Sequence, residues 1–473
     1  MNIAFVASEM VPFSKTGGLA DVAGALPAAL ATRGHDVIAI SPRYGPVPGA
    51  TPVGPPLFFG LFGVEHRVDL YSVERHGVRW ILVDNPAFHR PGIYGDASGA
   101  YDDNLFRYAL LSRAALEAGA GLLGDPVVFH ANDWHTGLLP VYLQALYRSQ
   151  GRLPGARVVL GLHNLGHQGT APAGRFAGLG LPDDAWPVLD MHGALNPLKA
   201  GLVAADALVA VSPSYSRQIQ IDQGFGLEGV LRARTDWLVG VLNGIDDAWD
   251  PATDPHLAAN FTIDDLSGKA VCKAALQREL GLPQRADVPL VSLISRLDYQ
   301  KGIDLVQAVV PWLLQHDVQL VMLGSGAPRY EAFFREAEAR WPSKARGWVG
   351  FNDPLAHRIE AAADVFVMPS RFEPCGLNQM YSMRYGTVPV VHATGGLADT
   401  VTTVDPRHDR GTGWAFSPLS AEALQAALTH ALGTYTEFPA AFRQIQRRGM
   451  SIDWSWARSA AAYEAIYARV LQR

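Results

Sequence analysis

Short runs of Val, Ile and Leu alternate with amphipathic stretches along most of the chain. Such runs are typical of parallel strands that are buried on both faces by helices. A first series of predicted strands comprises Ile3–Ala7, Asp36–Ile40, Val127–His130, Arg157–Leu162, Ala207–Val211 and Leu238–Leu242. A second series comprises Pro289–Ile294, Val318–Leu323, Trp348–Gly350, Val365–Met368 and Val388–Val391. The pattern predicts an α/β protein with two doubly wound domains.

Turn signals separate the two series. The stretch from Asn243 to about Pro255 contains Asn-Gly, Asp-Asp and Asp-Pro pairs, which favour a linker. We therefore predict a first domain over residues 1–243 and a second over residues 244–455. Apolar residues at helical spacing after Trp454 predict a final helix, within residues 456–473, that packs back on the first domain.

Polar residues follow many of the predicted strands. They include Ser8-Glu9, Asn132-Asp133, His163-Asn164, Asn243-Gly244, Arg296 and Arg371-Phe372-Glu373. In open α/β sheets, ligands bind at the carboxyl ends of the strands. We expect these residues to line a cleft between two facing domains.

Composition excludes several classes of function. The chain has 473 residues, a net charge of −6 and a mean hydropathy near zero, and no apolar run of membrane-spanning length. The acidic balance argues against a nucleic-acid partner. The chain enters its first strand with no basic leader, so we expect a cytoplasmic protein without a signal peptide. We expect Cys272 and Cys375 to be reduced thiols.

The hexapeptide Thr-Gly-Gly-Leu-Ala-Asp occurs twice, at Thr16–Asp21 and at Thr394–Asp399. Each copy follows a predicted strand and opens a helix, where free backbone N–H groups and the helix dipole favour an anion. Lys15 adds a cationic donor to the first copy. The alternative is a tight turn whose glycines only permit packing. Neither copy has the glycine spacing of a dinucleotide-binding fingerprint or of a P-loop.

Two further motifs carry candidate chemistry in the second half. Arg296 ends a strand and Lys301 precedes a glycine and a helix, which indicates a clamp for a diphosphate. The alternative is a pair of solvated surface cations. Glu373 precedes Pro374 and a Cys-Gly turn into a helix, so its carboxylate is placed to bind hydroxyls. It could instead cap the helix or pair with Arg371, and Cys375 more simply fills space than acts as a nucleophile.

These motifs together resemble bacterial glycogen synthase and the plant starch synthases. The resemblance rests on Lys15-Thr16-Gly17-Gly18-Leu19-Ala20-Asp21, Asn132-Asp133-Trp134-His135, Asn243-Gly244, Arg296 with Lys301-Gly302, Glu373-Pro374-Cys375-Gly376-Leu377 and Thr394-Gly395-Gly396-Leu397. It covers nearly the whole chain. It implies the GT-B glycosyltransferase fold of two Rossmann-like domains, an ADP-glucose donor, an α-1,4-glucan acceptor extended at its non-reducing end, and retention of anomeric configuration.

The resemblance also implies roles for single residues. Arg296 and Lys301 would contact the donor diphosphate, with Lys15 and Gly18 contacting it from the first domain. Glu373 would bind glucose hydroxyls, and His163 would lie beside the reacting carbon. Asp133 and Asn243 would line the sugar pocket. The remaining candidate substrate contacts are Asp21, Phe351, Cys375, Gly376, Leu377, Asn378, Thr394 and Gly395.

Three positions depart from the family pattern. His167 and Phe351 stand where tyrosines are common, and Asn378 stands where a threonine is common. Phe351 would keep a stacking contact with the base but lose a hydroxyl contact. Asn378 can still form hydrogen bonds.

The implied reaction expels a nucleoside diphosphate, so negative charge grows on the leaving oxygen. Arg296, Lys301 and helix N-termini would stabilise that charge without a metal, and no Asp-x-Asp motif stands beside the site. We expect no cofactor. Because the resemblance places Glu373 on hydroxyls, a same-face displacement is favoured over a carboxylate nucleophile. The alternatives are another GT-B nucleotide-sugar transferase and a non-catalytic glycan- or nucleotide-binding protein of the same fold. The sequence does not indicate an oligomeric state.

Overall fold

The computed structural model describes residues 1–473. The chain divides into two compact units. The N-terminal unit comprises Met1–Gly244 together with Trp456–Arg473, and the C-terminal unit comprises Ile245–Ser455. None of the helices combines the length and the apolar composition that a bilayer crossing requires.

The N-terminal unit contains a ten-stranded sheet with a parallel main part. In spatial order the parallel strands are Leu238–Gly240, Ala207–Ala210, Arg157–Leu162, Val128–Asn132, Asn2–Val6, Asp36–Pro42 and Val78–Asp84. The central strands Asn2–Val6 and Val128–Asn132 are almost wholly buried, as expected of apolar runs covered by helices on both faces.

Neither the parallel strand Val78–Asp84 nor the antiparallel edge beyond it was among the predicted strands. Val64–Arg75 pairs antiparallel with Val78–Asp84, and it also pairs with Thr51–Pro52 and Leu57–Leu61. Val64–Arg75 is exposed at both ends and buried only at intervals. It therefore lacks the continuous apolar run that identifies a strand buried on both faces.

Helices cover this sheet. The α-helices of the unit are Gly18–Thr32, Asn104–Leu122, Leu139–Tyr142, Trp186–Leu189, Pro197–Ala204, Pro213–Gln218, Glu228–Arg232 and Trp456–Leu471. The shorter elements are the 3-10 turns Pro86–Phe88, Trp134–Thr136, Arg148–Gln150, Ala173–Leu179, Asp183–Ala185 and Thr235–Trp237, the π-helical turn Leu143–Tyr147, and the two-residue strands Gly95–Asp96, Gly99–Ala100, Ala171–Pro172, Asp190–Met191 and Ala194–Leu195.

The C-terminal helix Trp456–Leu471 is part of the N-terminal unit. Its buried Tyr463 and Tyr467 join the core that Leu26 and Leu30 of Gly18–Thr32 also enter. On the surface, Arg33 Nε donates to Glu464 Oε2 at 2.6 Å. The apolar spacing that predicted this helix is thus the spacing of its buried face.

The C-terminal unit contains a six-stranded sheet that is parallel throughout. In spatial order its strands are Ala345–Val349, Gln319–Gly326, Leu290–Leu297, Val365–Met368, Val388–His392 and Trp414–Phe416. Its helices are Ser267–Glu279, Ile303–Leu313, Pro328–Arg340, Asp353–Ala362, Asn378–Arg384, Gly395–Thr400, Ala421–Glu437 and Pro439–Met450. The predicted α/β class is confirmed.

The predicted linker stretch is largely folded onto the C-terminal unit. The Trp249 ring stacks on His357 at 3.7 Å and on Tyr381 at 4.0 Å between ring centroids. Asp254 is buried and its Oδ2 accepts from Tyr385 Oη at 2.6 Å, with His357 Nδ1 at 2.8 Å. These contacts fix the chain that precedes Ser267–Glu279.

Candidate active site

The glycine loop after the first strand is held by a carboxylate. Both the backbone N–H and the hydroxyl of Thr16 donate to Glu9 Oε2, the hydroxyl at 2.8 Å. Glu9 is buried, and burial raises the pKa of its carboxyl above the usual range. The prediction that this corner presents free backbone N–H groups is therefore wrong for Thr16, because a carboxylate of the same unit already occupies its N–H.

The two glycines of this loop are exposed, and the fold does not require either of them. A Cβ at Gly18 would meet no heavy atom within 4 Å, and one at Gly17 would lie 3.7 Å from Glu9 Oε1. Neither residue has a left-handed backbone. Internal packing therefore does not explain these glycines, which favours close approach of a ligand over the turn-packing alternative. Beside them, Lys15 Nζ is paired with Asp21 Oδ1 at 2.7 Å.

Asp133 occupies a strained position at the end of Val128–Asn132. Its backbone has a φ of 53° and a ψ of −168°, a combination outside the left-handed helical region and nearly confined to glycine. Its Oδ1 accepts the backbone N–H of His163 at 2.8 Å and that of Asn164 at 3.4 Å. Burial nevertheless raises the pKa of Asp133 to about 7. Asp133 thus ties together the ends of two neighbouring strands.

His163 follows strand Arg157–Leu162 and lies against Asn132. Its Nε2 is 2.8 Å from Asn132 Oδ1, and Asn132 itself is fully buried. Burial lowers the pKa of His163 to about 4, so the imidazole is neutral near pH 7. A neutral imidazole can act as one donor and one acceptor.

Tyr94 joins this cluster, although no sequence signal singled it out. Its hydroxyl lies 2.8 Å from Ser8 Oγ, and its ring stacks on His135 with 4.8 Å between centroids. Glu9 lies close enough to raise the pKa of Tyr94 further, beyond the larger effect of burial. Tyr94 lies in a stretch without a predicted element, so only the tertiary structure brings it to the strand ends.

Asn243, at the end of the first series of strands, is also buried, and its Oδ1 has no hydrogen-bond partner within the protein. An unpaired buried carbonyl oxygen is costly unless a ligand or water pairs with it. In the N-terminal unit the structure thus brings Asp133 and His163 together through hydrogen bonds, and separately pairs Lys15 with Asp21.

In the C-terminal unit, Glu373 and Lys301 form an ion pair. Lys301 Nζ donates to Glu373 Oε2 at 2.6 Å, and Ser370 Oγ donates to the same oxygen at 2.9 Å. The Glu373 side chain is 9% exposed and that of Lys301 is 16% exposed. Desolvation makes such a pair stronger than one on the surface, and the hydroxyl of Ser370, which the sequence did not single out, satisfies the carboxylate further.

Arg296 does not join Lys301. Its side chain is 67% exposed, with Nη1 3.1 Å from Asp298 Oδ2 and Nη2 3.4 Å from Gln300 Oε1. The two predicted clamp cations thus have different partners in this structure. Arg296 is held only by surface contacts, which cost little to exchange for a stronger anion.

The alternative pairing of Glu373 with Arg371 is not observed. Arg371 instead forms two hydrogen bonds to Asp304, at 2.8 and 2.7 Å, and its guanidinium lies 3.4 Å from the centroid of the Tyr299 ring. The Arg371 N–H also donates to the carbonyl of Gln300 at 2.8 Å. These contacts fasten the loop that carries Lys301 to the loop that carries Glu373.

The two glycines in the second copy of the hexapeptide are required by packing. Gly395 has a φ of +44°, and a Cβ there would collide with the carbonyl of Glu373. A Cβ at Gly396 would collide with the backbone of Cys375, and the Gly396 N–H donates to the carbonyl of Glu373 at 3.0 Å. Here the glycines are needed by the fold, whereas in the first copy they are not.

The remaining candidates differ in exposure. Cys375 and Thr394 are buried, Gly376 and Leu377 are partly buried, and Phe351 is 88% exposed. Asn378 Nδ2 donates to the carbonyl of Ile294 at 2.9 Å. The exposed Phe351 ring directly follows Gly350, which has a φ of 135°. An exposed aromatic ring of this kind offers a flat face to a planar ligand.

Solved structures share this architecture. The catalytic domain of starch synthase IV from Arabidopsis thaliana, bound to ADP and acarbose, matches with a TM-score of 0.91 and 32% identity, over 100% of this chain and 99% of that one. Sucrose-phosphate synthase from Thermosynechococcus elongatus has the same fold at 19% identity, with a TM-score of 0.62 over 100% and 99% of the two chains. The fold and its strand-end clusters define a GT-B glycosyltransferase.

Sequence comparison identifies the family within this class. The family model described as "Starch synthase catalytic domain" matches residues 2–233, and "Glycosyl transferases group 1" matches residues 281–448. A glycogen synthase of Anaeromyxobacter sp. (strain Fw109-5) is 50% identical, over 99% of each chain. Starch synthase 1 of Arabidopsis thaliana is 46% identical, over 98% of this chain and 76% of that protein. The chain belongs to the glycogen and starch synthase family and is an enzyme of that type.

Proposed function

We propose that this enzyme transfers glucose from ADP-glucose to the non-reducing end of an α-1,4-glucan, with retention of anomeric configuration. Two similarities support the proposal: the full-length likeness to a glycogen synthase, and the likeness to a starch synthase domain solved with ADP and acarbose. We also propose that the enzyme acts in the cytoplasm and requires neither a metal nor a cofactor.

The observation that carries the proposal is the Lys301–Glu373 pair at the strand ends of the C-terminal unit. A cation suited to phosphate and a carboxylate suited to hydroxyls lie 2.6 Å apart in a partly buried place. A nucleotide sugar carries both groups on adjacent atoms. A pure phosphate ligand would have no use for the carboxylate, and a pure glycan would have no use for the lysine.

In the proposed reaction, the bond between the anomeric carbon and the diphosphate oxygen breaks while the acceptor hydroxyl attacks from the same face. Lys301 and Arg296 stabilise the charge that grows on the leaving diphosphate. Glu373 holds sugar hydroxyls through Oε1, because Lys301 and Ser370 already occupy its Oε2, and the same-face displacement requires no carboxylate nucleophile. The leaving diphosphate is placed to take the proton of the acceptor hydroxyl.

The nucleotide base is proposed to stack on Phe351, whose ring is 88% exposed. Stacking tolerates different bases, so this contact alone supplies affinity more than selectivity. We therefore expect a preference for ADP-glucose over UDP-glucose on the basis of the family alone.

The proposal is tested by incubating the protein with glycogen and either ADP-glucose or UDP-glucose and following nucleotide release. We expect release of ADP that depends on glycogen and a much slower release of UDP. Release that depends on a monosaccharide or sugar phosphate would indicate another GT-B transferase. Binding of ADP-glucose without any release would indicate a non-catalytic protein of this fold.

A further inference from the structure

Asn132 is a fully buried amide that lies between the backbone and the imidazole of His163. Its Nδ2 is 3.0 Å from the carbonyl oxygen of Val6 and 3.3 Å from that of His130. A carbonyl oxygen can only accept a hydrogen bond, so the NH₂ group of Asn132 faces these two atoms. The orientation of the amide is therefore fixed by its surroundings.

The fixed amide determines where His163 carries its proton. Asn132 Oδ1 lies 2.8 Å from His163 Nε2, and an amide oxygen can only accept. Nε2 must therefore be the protonated nitrogen. Because burial holds the pKa of His163 at about 4, the ring is neutral near pH 7 and Nδ1 is left with a lone pair.

The backbone around His163 is built to keep this arrangement. A Cβ at Gly161 would lie 2.7 Å from Asn132 Oδ1, 3.0 Å from His130 Nε2 and 3.2 Å from His163 Nε2. The missing side chain thus leaves room for three polar atoms. On the far side, His130 Nδ1 is 2.6 Å from the hydroxyl of Tyr467, which anchors that ring to the C-terminal helix.

We infer that Asn132 is a positioning residue that holds His163 as the Nε2–H tautomer, so that His163 Nδ1 accepts a hydrogen bond from a hydroxyl of the transferred sugar. The inference rests on the proposed function for the identity of the ligand. The tautomer itself does not depend on the reaction. A histidine in the opposite tautomer or in the charged form would present a donor at Nδ1 and would not accept that hydrogen bond.

The titratable groups around His163 are Asp133, His130 and His135. Burial lowers the pKa of His130 to about 3 and that of His135 below its usual value, so both are neutral near pH 7. Asp133, with a pKa of about 7, titrates in the working range. Any pH effect of a change at Asn132 must therefore be compared with the profile of the unchanged enzyme.

The first experiment observes the tautomer in the unliganded protein. Histidines are labelled with ¹⁵N, and the His163 signals are assigned by their absence in His163→Gln. We expect two-bond ¹H–¹⁵N correlations at pH 7 to show a protonated Nε2 and an unprotonated Nδ1. A protonated Nδ1 would overturn the inference and would leave the proposed function untouched.

The second experiment changes the partner. In Asn132→Leu, an apolar side chain of similar size removes the acceptor that faces Nε2, so the neutral ring is free to carry its proton on Nδ1 instead. We expect kcat/KM with ADP-glucose and glycogen to fall at least about tenfold at pH 7, the equivalent of one lost hydrogen bond. The ¹⁵N spectrum of this variant at pH 7 should contain a protonated Nδ1 form that the unchanged protein lacks.

The matched control is Asn85→Leu, because Asn85 is also a buried amide, with Nδ2 donating to the carbonyl of Arg67 at 2.8 Å. It should keep the kcat/KM and the His163 tautomer of the unchanged enzyme. An Asn132→Leu protein with unchanged kcat/KM and only the Nε2–H tautomer would overturn the inference. If Asn132→Leu does not fold, the ¹⁵N spectrum of the unchanged protein decides. Absence of any turnover in the unchanged enzyme would contradict the proposed function and not the tautomer.

Discussion

Replacing Asp133 by Asn should stabilise the protein at neutral and alkaline pH. The pKa of about 7 lies about three pH units above the usual value of 3.8, and burial is the main cause. Because the folded state binds this proton more tightly than the unfolded state, the contribution of Asp133 to stability is fully present below pH 4 and is lost as the pH rises through 7. Each unit corresponds to about 1.4 kcal/mol, so ionisation removes up to about 4 kcal/mol.

Asn fits the position for two structural reasons. It has nearly the same shape as Asp and so bears the same backbone strain at a φ of 53° and a ψ of −168°, and its side-chain oxygen can accept the N–H groups of His163 and Asn164 as Asp133 Oδ1 does. The free energy of unfolding is measured in urea at several values between pH 4 and 8. The difference between Asp133→Asn and the unchanged protein should be near zero at pH 4 and reach about 2–4 kcal/mol in favour of Asn at pH 8.

Two comparisons make this test specific. Asp125→Asn removes a negative charge from an exposed side chain that accepts the N–H of Gly155 at 2.8 Å, and it controls for net charge. Asp133→Ala loses both hydrogen bonds and places alanine at a left-handed φ, so it should be destabilised at every pH. A constant difference between Asp133→Asn and the unchanged protein from pH 4 to 8 would refute the reasoning.

Four further changes have distinct expected outcomes. Gly18→Ala should change the free energy of unfolding by no more than about 1 kcal/mol and should weaken donor binding. Gly396→Ala would strike the Cys375 backbone and should lower the free energy of unfolding by about 1–3 kcal/mol. Thermal unfolding and ADP titration check both variants, and equal losses of stability would contradict the distinction between the two glycines. Glu9→Ala removes two hydrogen bonds from Thr16, so amide hydrogen exchange at Thr16 should accelerate by at least about tenfold, and unchanged exchange would contradict the role of Glu9. Lys301→Ala should lower kcat/KM by an amount equivalent to about 2–4 kcal/mol of activation free energy, because the leaving diphosphate loses a cation. Near-normal turnover would contradict this contact.

Strands buried on both faces were the most predictable part of the fold. Arg157–Leu162 and Val365–Met368 are observed with the predicted bounds, because Val158–Leu160 and the whole of Val365–Met368 are continuous apolar runs. The strand Ala345–Val349 begins three residues before its predicted start at Trp348, since Arg346 and Gly347 interrupt the apolar run. The alternating, half-exposed Val64–Arg75 was missed because it lies at the antiparallel edge.

The candidate site was predictable in its residues more than in its contacts. Motifs at strand ends identified Lys301 and Glu373, but their ion pair depends on how two loops of the C-terminal unit pack. The occupation of the Thr16 N–H by Glu9 was not predictable either, because Glu9 was expected to line the cleft and no pattern in the sequence pairs it with the glycine loop. Tyr94 reaches the site through a tertiary contact with Ser8 that no local pattern indicates.

The most direct test of the central claim is the structure of the product formed from ADP-[1-¹³C]glucose and a maltooligosaccharide. We expect the labelled carbon to appear by NMR in a new α-1,4 linkage at the non-reducing end, with ADP released in equal amount. A β linkage would contradict the proposed retention. Label that remains in ADP-glucose or appears only as free glucose would contradict glucan synthesis itself.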